Sequence, residues 1–436
     1  MSNISASRIL TATLVLAWAW INLAGCKKDN SATGPSDSDI VTVTGKVVNG
    51  TLQPVASVPV LISGKVSVNT DANGSFSVAD VSLPYDVTIV SGGDKTAYIY
   101  RNLARSNPTL YTLGSSPLPN SATISGSVYP TSAFPQPAGR VTGVGLVSTA
   151  GAAWTNANGT VSPATYTFSG LSWAGTTTIS AAIFALQWNQ DGAGLPLSYL
   201  LFGTRTGITI TSGGTFANVN DTMSITPATL TFRGSIGVPA GYTLNTKEVT
   251  EQFSGVTVML LLIDATNTTT FSYKTPDLLS GTVGLAAMAT KGSAQSVAYA
   301  SSLAPGSTSA SLTLPAAPEL SLPIDGAPSV KAGTPFSWNA FPNGLHVLYF
   351  DGPNGKPDYY IITSAASDSL PSLAASGLPL PSSTTYQWSV MGFAPFSTVD
   401  DATGPAGFIP PGFPYVLVAG TGSYAISTNR SFTTAP

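Results

Sequence analysis

The chain has 436 residues and a net charge of −3, with 43% apolar residues, 8% charged residues, 43 Gly, 33 Pro, one Cys and one His. That balance excludes a nucleic-acid binder, which needs a basic stripe. One Cys and one His exclude an internal disulfide and any zinc site built on those residues, and His346 has no sequence partner for Ser-His-Asp or Cys-His catalysis.

The first element is the uncharged run Ile9–Gly25, preceded by Arg8. A charged start followed by an apolar run has signal-peptide proportions. As a helix it would reach about 25 Å, short for a hydrocarbon core of about 30 Å. Leu23-Ala24-Gly25-Cys26 ends it and resembles a bacterial lipobox. The resemblance implies cleavage after residue 25, acylation of Cys26 and membrane lipid as a partner. Lys27 after the Cys implies, by the rule of that family, an outer-membrane address. Several acyl chains on one residue hold far more firmly than one. Residues 26–40 then form a tether whose Ser, Asp, Gly and Pro bury nothing, with ends about 20 Å apart.

Glu occurs only at 248, 251 and 319, so little is present to build helix exteriors. Abundant Gly, Pro, Thr, Ser and Val point to strands and turns. The expected fold is all-β: tandem antiparallel β-sandwiches. In residues 41–114, Val41/Val43/Val47, Val58/Val60/Ile62, Phe76/Val78 and Tyr85/Val87/Ile89 alternate with polar residues, as half-buried strands do. Asn73-Gly74 between two runs predicts a type I′ hairpin. Asp71 and Asn73 read as turn formers rather than cation ligands. The order Gly45-Lys46-Val47, Val58–Ile62, Thr70–Phe76 and Tyr85–Ile89 resembles the carboxypeptidase regulatory-like domain. That resemblance implies a transthyretin-like, carbohydrate-binding-like sandwich without catalytic residues.

Residues 119–225 and 226–316 read as diverged copies. Gly126-Ser127-Val128 and Gly234-Ser235-Ile236 mirror Gly45-Lys46-Val47, Thr155–Thr160 repeats the Asn-Gly turn, and the stretch from Phe271 parallels the one from Tyr166. Val256–Asp264 reads as a strand buried on both faces. Leu244–Phe253, with Asn245 and Glu248 spaced like a capping box, is the one expected helix.

In residues 317–436, Trp338 falls in an early strand, and Tyr386 heads a strand after the Leu380-Pro381 corner. The pattern resembles a fibronectin type III domain, which implies a tyrosine corner closed by the Tyr386 hydroxyl. The stretch between Met391 and Ser423 departs from that family. It carries Phe393, Phe396, Phe408, Phe413 and Tyr415, either as a binding loop or folded back on the sandwich.

No catalytic constellation emerges. Gly143–Ser148 starts like a dinucleotide loop but lacks the third Gly. Asp351, Asp358, Asp400 and Asp401 would be the carboxylates of a glycosidase, but they sit beside turn residues. No cofactor and no metal are expected. Two functions are open. In one, a glycan or other envelope polymer is bound at Trp154, Trp173 and Trp188 or at Phe408, Phe413 and Tyr415. In the other, a stalk or adhesin presents its last domain to an envelope protein. Sugar rings stack on flat aromatic faces, although Trp is also a common core residue.

Overall fold

The computed structural model describes residues 40–91, 95–112, 117–130, 139–158, 162–253, 256–353, 355–404 and 420–436. The fold is all-β. No described helix is long and apolar enough to cross a membrane. Chain contacts divide the described residues into two compact units. One holds those between Ser116 and Pro227 apart from Ala193–Pro196, and the other holds the rest.

The first strands are β1 (Ile40–Val48), β2 (Pro59–Ile62), β3 (Val68–Asn69), β4 (Ser75–Ser82), β5 (Tyr85–Ser91), β6 (Thr96–Leu103) and β7 (Thr109–Tyr111). β1 pairs antiparallel with β4 and parallel with β7, giving the small sheet β4-β1-β7. The Asp71 carboxylate accepts the backbone N–H groups of Asn73 (2.8 Å) and Ser75 (2.8 Å). The turn is not type I′: Gly74 alone takes a positive φ, of 70°, whereas type I′ needs two such residues. It joins strands of different sheets, so no hairpin twist has to be matched.

The same three-strand plan recurs twice. β8 (Asn120–Pro130), β9 (Arg140–Ser148), β10 (Gly151–Asn156), β11 (Ala164–Trp173), β12 (Thr178–Gln190), β13 (Pro196–Thr211), β14 (Thr215–Phe216) and β15 (Asp221–Met223) follow. Here β8 pairs antiparallel with β11 and parallel with β14 and β15. Then come β16 (Ala228–Gly237), β17 (Thr243–Phe253), β18 (Val256–Asp264), β19 (Thr270–Asp277), β20 (Gly281–Lys291), β21 (Ala294–Leu303) and β22 (Ala310–Thr313). β16 pairs antiparallel with β19 and parallel with β22. The repeated glycine explains the motif. Gly45 faces Phe76, Gly126 faces Tyr166 and Gly234 faces Phe271 across the antiparallel pair. A Cβ at each would strike that aromatic side chain and the carbonyl of Pro108, Val219 or Ala310. The aromatic lies over the bare backbone, which supplies the packing a glycine lacks.

Leu244–Phe253 is a strand rather than a helix. As β17 it is paired with β18 on one side and β20 on the other. The i,i+4 charges Lys247 and Glu251 that suit a helix surface are both buried instead, at 0% and 1% exposure. Lys247 lies beside Asp264 (3.2 Å) and donates to the carbonyls of Thr266 and Thr268. β18 is mostly buried on both faces, as its apolar run predicts, with Ile263 exposed.

The last strands are β23 (Leu320–Leu322), β24 (Ala327–Val330), β25 (Pro335–Trp338), β26 (Leu345–Asp351), β27 (Asp358–Thr363), β28 (Ser367–Ser369), β29 (Thr385–Ala394), β30 (Thr421–Ile426) and β31 (Arg430–Thr434), with a 3-10 turn at Ala374–Ser376 and one turn of α-helix, α1 (Val399–Ala402). Within the larger unit one sheet runs β18-β17-β20-β21-β30-β29-β26-β27-β6-β5-β2-β3. β27 pairs parallel with β6, so the first repeat continues directly into the last region. On one face of this junction Val87, Ile89 and Tyr100 pack with Leu345, Val347 and Ile362. On the other, Val90, Ala97 and Ile99 pack with Leu348, Phe350 and Trp388. A sheet buried on both faces cannot be split without exposing core. Arg101 clamps it, with two nitrogens on Asp368 (2.9 and 3.2 Å) and a third on Asp86 (2.8 Å).

Candidate functional surfaces

Trp154, Trp173 and Trp188 fall in the smaller unit, and the structure separates them. Trp173 ends β11 inside the core, 1% exposed, its indole N–H donating to the carbonyl of Thr176 (2.8 Å). With its ring enclosed it presents no face to a sugar. Trp188 is 3% exposed and tilts against Tyr199 at 6.4 Å, which rules out stacking there as well. Trp154 is 41% exposed.

The sheet β10-β9-β12-β13 positions Trp154. Ile179, Ala181, Ile183 and Ala185 of β12 point into the core with Val144 and Leu146 of β9. Strand alternation therefore turns Gly145, Val147, Ala182 and Phe184 to the outer face. Trp154 is on that face too, because its neighbour Ala153 packs against the core. In register Trp154 faces Gly145, which faces Phe184. The residue opposite the indole has no side chain, so the ring is not covered from the adjacent strand. Asn156, two residues further along β10 and exposed, points the same way and brings an amide. An exposed indole with a neighbouring amide on an edge strand can stack on an apolar ring face and bond to a hydroxyl.

Phe408, Phe413 and Tyr415 lie outside the described residues, as does Cys26. Two aromatics before that segment are described. Phe393 lies within β29, 6% exposed and stacked near Tyr424, and Phe396 packs against the core of the first repeat. These two fold back on the sandwich.

The four carboxylates Asp351, Asp358, Asp400 and Asp401 are occupied in turns and caps. Asp400 accepts the N–H groups of Ala104 and Arg105, and Asp401 closes a capping box with Thr398. Asp358 accepts from Gly352 N–H (2.8 Å) and Asp351 from the Tyr349 hydroxyl (3.2 Å). Burial, with Asp351 nearby, raises the pKa of Asp358. His346 is enclosed, 1% exposed, and its Nε2 accepts the Phe341 N–H (2.8 Å). Burial lowers its pKa to about 4, so at neutral pH it is an uncharged acceptor. Among the described residues no group of three His, Cys, Asp or Glu is placed to hold a metal ion.

Two tyrosines depart from the expected corner. Tyr386 donates across 29 residues to the carbonyl of Pro357 (3.1 Å), and it is Tyr359 that bonds the Leu378-Pro379 carbonyls (3.4 and 3.2 Å). Each hydroxyl thus fastens the other's loop. A stack Tyr349–Tyr360–Tyr98, with centroids 4.4 and 5.3 Å apart, crosses from β26 through β27 to β6. Nothing in the local sequence marked it, because its members come together only through the β27–β6 pairing. Its ring faces are spent on each other, so it staples the junction rather than offering a platform.

No protein-family model matches the chain, and no curated protein matches it. Three solved structures are similar at low identity. A fimbrial assembly protein from Parabacteroides distasonis ATCC 8503 is 12% identical, with 50% of this chain covering 93% of that one at a TM-score of 0.18. The Bacillus anthracis TIE protein is 8% identical, with 63% of this chain covering 50% of that one at a TM-score of 0.16. The pilus adhesin SpaC from Lactobacillus rhamnosus GG is 12% identical, with 64% of this chain covering 43% of that one at a TM-score of 0.12.

Proposed function

We propose that this chain is a non-catalytic protein of the bacterial cell envelope, held by lipid on Cys26, whose smaller unit binds a polysaccharide at Trp154. The observation that carries the binding site is the exposed indole facing Gly145, with the Asn156 amide beside it. The site takes one or two sugar rings and makes no covalent change to them. A second reading, a scaffold that presents a protein-binding surface, is favoured by the shared core of the first repeat and the last region, which makes a stiff body.

Pull-down of the soluble body, residues 41–436, on insoluble polysaccharides and peptidoglycan tests the first reading. Trp154→Ala is expected to lose at least tenfold in affinity at an unchanged Tm. Failure of the wild-type body to bind any polysaccharide would overturn it and leave the scaffold.

A further inference from the structure

Strand directions in the first repeat gather several chain segments at one end. Ile40, where β1 begins, lies opposite Ser82, where β4 ends, and Leu83-Pro84 leads straight into β5. The Tyr85 hydroxyl donates to the Arg105 carbonyl (2.7 Å), and Thr44 N–H donates to the Ser106 carbonyl (2.8 Å). Ser63 N–H donates to the Asp86 carbonyl, so the turn between β2 and β3 is at the same end. That end carries two strongly exposed aliphatic side chains, Ile40 at 63% and Val66 at 86%. Lys65 is exposed next to Val66. Of the acids near that end, Asp86 is engaged with Arg101, Asp400 with two backbone N–H groups and Asp401 with its helix cap, while Asp80 on β4 is exposed.

The opposite end lies about 30 Å away, the length of a nine-residue strand such as β1. There Lys95 bonds the Gly355 carbonyl and Asp358 N–H bonds the Lys95 carbonyl, which places the β26–β27 turn far from Ile40.

The sequence supplies the occupant. Thirteen residues, 27–39, separate Cys26 from Ile40, and a coil of that length spans about 20 Å. They include Lys27 and Lys28. A lipid on Cys26 therefore holds the Ile40 end, and not the far turn, within reach of headgroups. We infer that the Ile40/Val66 end of the first repeat rests on the bilayer, with the two aliphatic side chains at the headgroup–acyl boundary, Lys65 against lipid phosphates, and the β26–β27 turn facing away. This rests on acylation of Cys26, and it goes beyond anchoring by giving the body an orientation.

The test uses the full acylated chain in vesicles of phosphatidylethanolamine and phosphatidylglycerol with brominated acyl chains. A fluorophore is attached at Val66→Cys or, in a second protein, at Lys356→Cys, and mass spectrometry reads the state of Cys26. The expected result is acyl mass on Cys26 with at least threefold stronger quenching at position 66 than at 356. Equal quenching on acylated protein, or stronger quenching at 356, would overturn the orientation and leave the lipid anchor standing. An unmodified Cys26 would overturn the anchor itself, and the orientation with it.

Discussion

The first and second repeats share a plan and differ in what becomes of their second sheet. In the first, β5 and β6 are continued by β27 and β26, and Val90, Ala97 and Ile99 on the far face are covered by the last region. In the second, β10 stays an edge strand and Trp154 on the far face remains exposed. The shared half is the small sheet with its glycine–aromatic contact, repeated at Gly45, Gly126 and Gly234. One sandwich plan thus serves as framework where its outer face is covered, and leaves an indole exposed at the edge strand where no further strand is added. The difference lies in the partner strand, and not in the repeat.

The largest way to break this comparison is to remove residues 317–436. The first repeat should then lose its fold, because Ile99 and Ala97, both 0% exposed, would face water along with the unpaired edge of β6. Hydrogen exchange on the fragment should show residues 40–112 unprotected while 117–227 stays protected. A protected first repeat would mean that the two regions are independent.

Next in size is the clamp between the two regions. Arg101→Met leaves Asp368 half-buried and unpaired, and should cost about 2–3 kcal/mol in urea unfolding, between the values for exposed and buried pairs. A change under about 0.5 kcal/mol would mean that Arg101 contributes no more than an ordinary surface residue. Gly234→Ala should cost about 1–3 kcal/mol, since its methyl group meets the Ala310 carbonyl and the Phe271 ring, and overpacking in a close-packed site carries that penalty.

A smaller effect is a dependence on pH. Glu251 is buried with neither carboxylate oxygen bonded, and burial raises its pKa well above the ordinary value of 4.5. The folded state therefore holds a proton that the unfolded state gives up above about pH 4.5. Stability should fall as pH rises from there through the folded pKa. Glu251→Gln removes the titration, so its advantage over wild type in thermal melts should grow from pH 5 to pH 9. An advantage that stays constant with pH would show Glu251 to be ionised or partnered in the fold.

Much of this architecture was legible in local pattern. β1, β2, β4 and β5 follow from valine alternation, and the threefold repeat follows from the Gly-x-Val or Gly-x-Ile triplets, because period two and a bare glycine leave a mark within a few residues. The helix expected at Leu244–Phe253 failed because Asn245 and Glu248 are spaced like a capping box, whereas pairing with β18 and β20 fixed the segment as a strand. The β27–β6 junction joins residues about 260 apart and has no local signature. Hence the stapling roles of Arg101, Tyr98 and Tyr360 could not be seen beforehand. The three tryptophans looked alike in sequence: strand parity separates Trp173, in the core, from Trp154, whereas Trp188 shares the outward parity of Phe184 and is enclosed beside Tyr199.

Trp154→Ala leaves the enclosed core of the second repeat in place, Trp154 being 41% exposed on the edge strand, and it is the most informative about function. Polysaccharide and peptidoglycan pull-downs should be run on the wild-type and Trp154→Ala bodies, residues 41–436, at matched Tm. At least a tenfold loss of binding in the variant is the predicted result. Binding that survives the substitution undiminished would contradict the claim that the open face of the second repeat is where this protein meets its ligand.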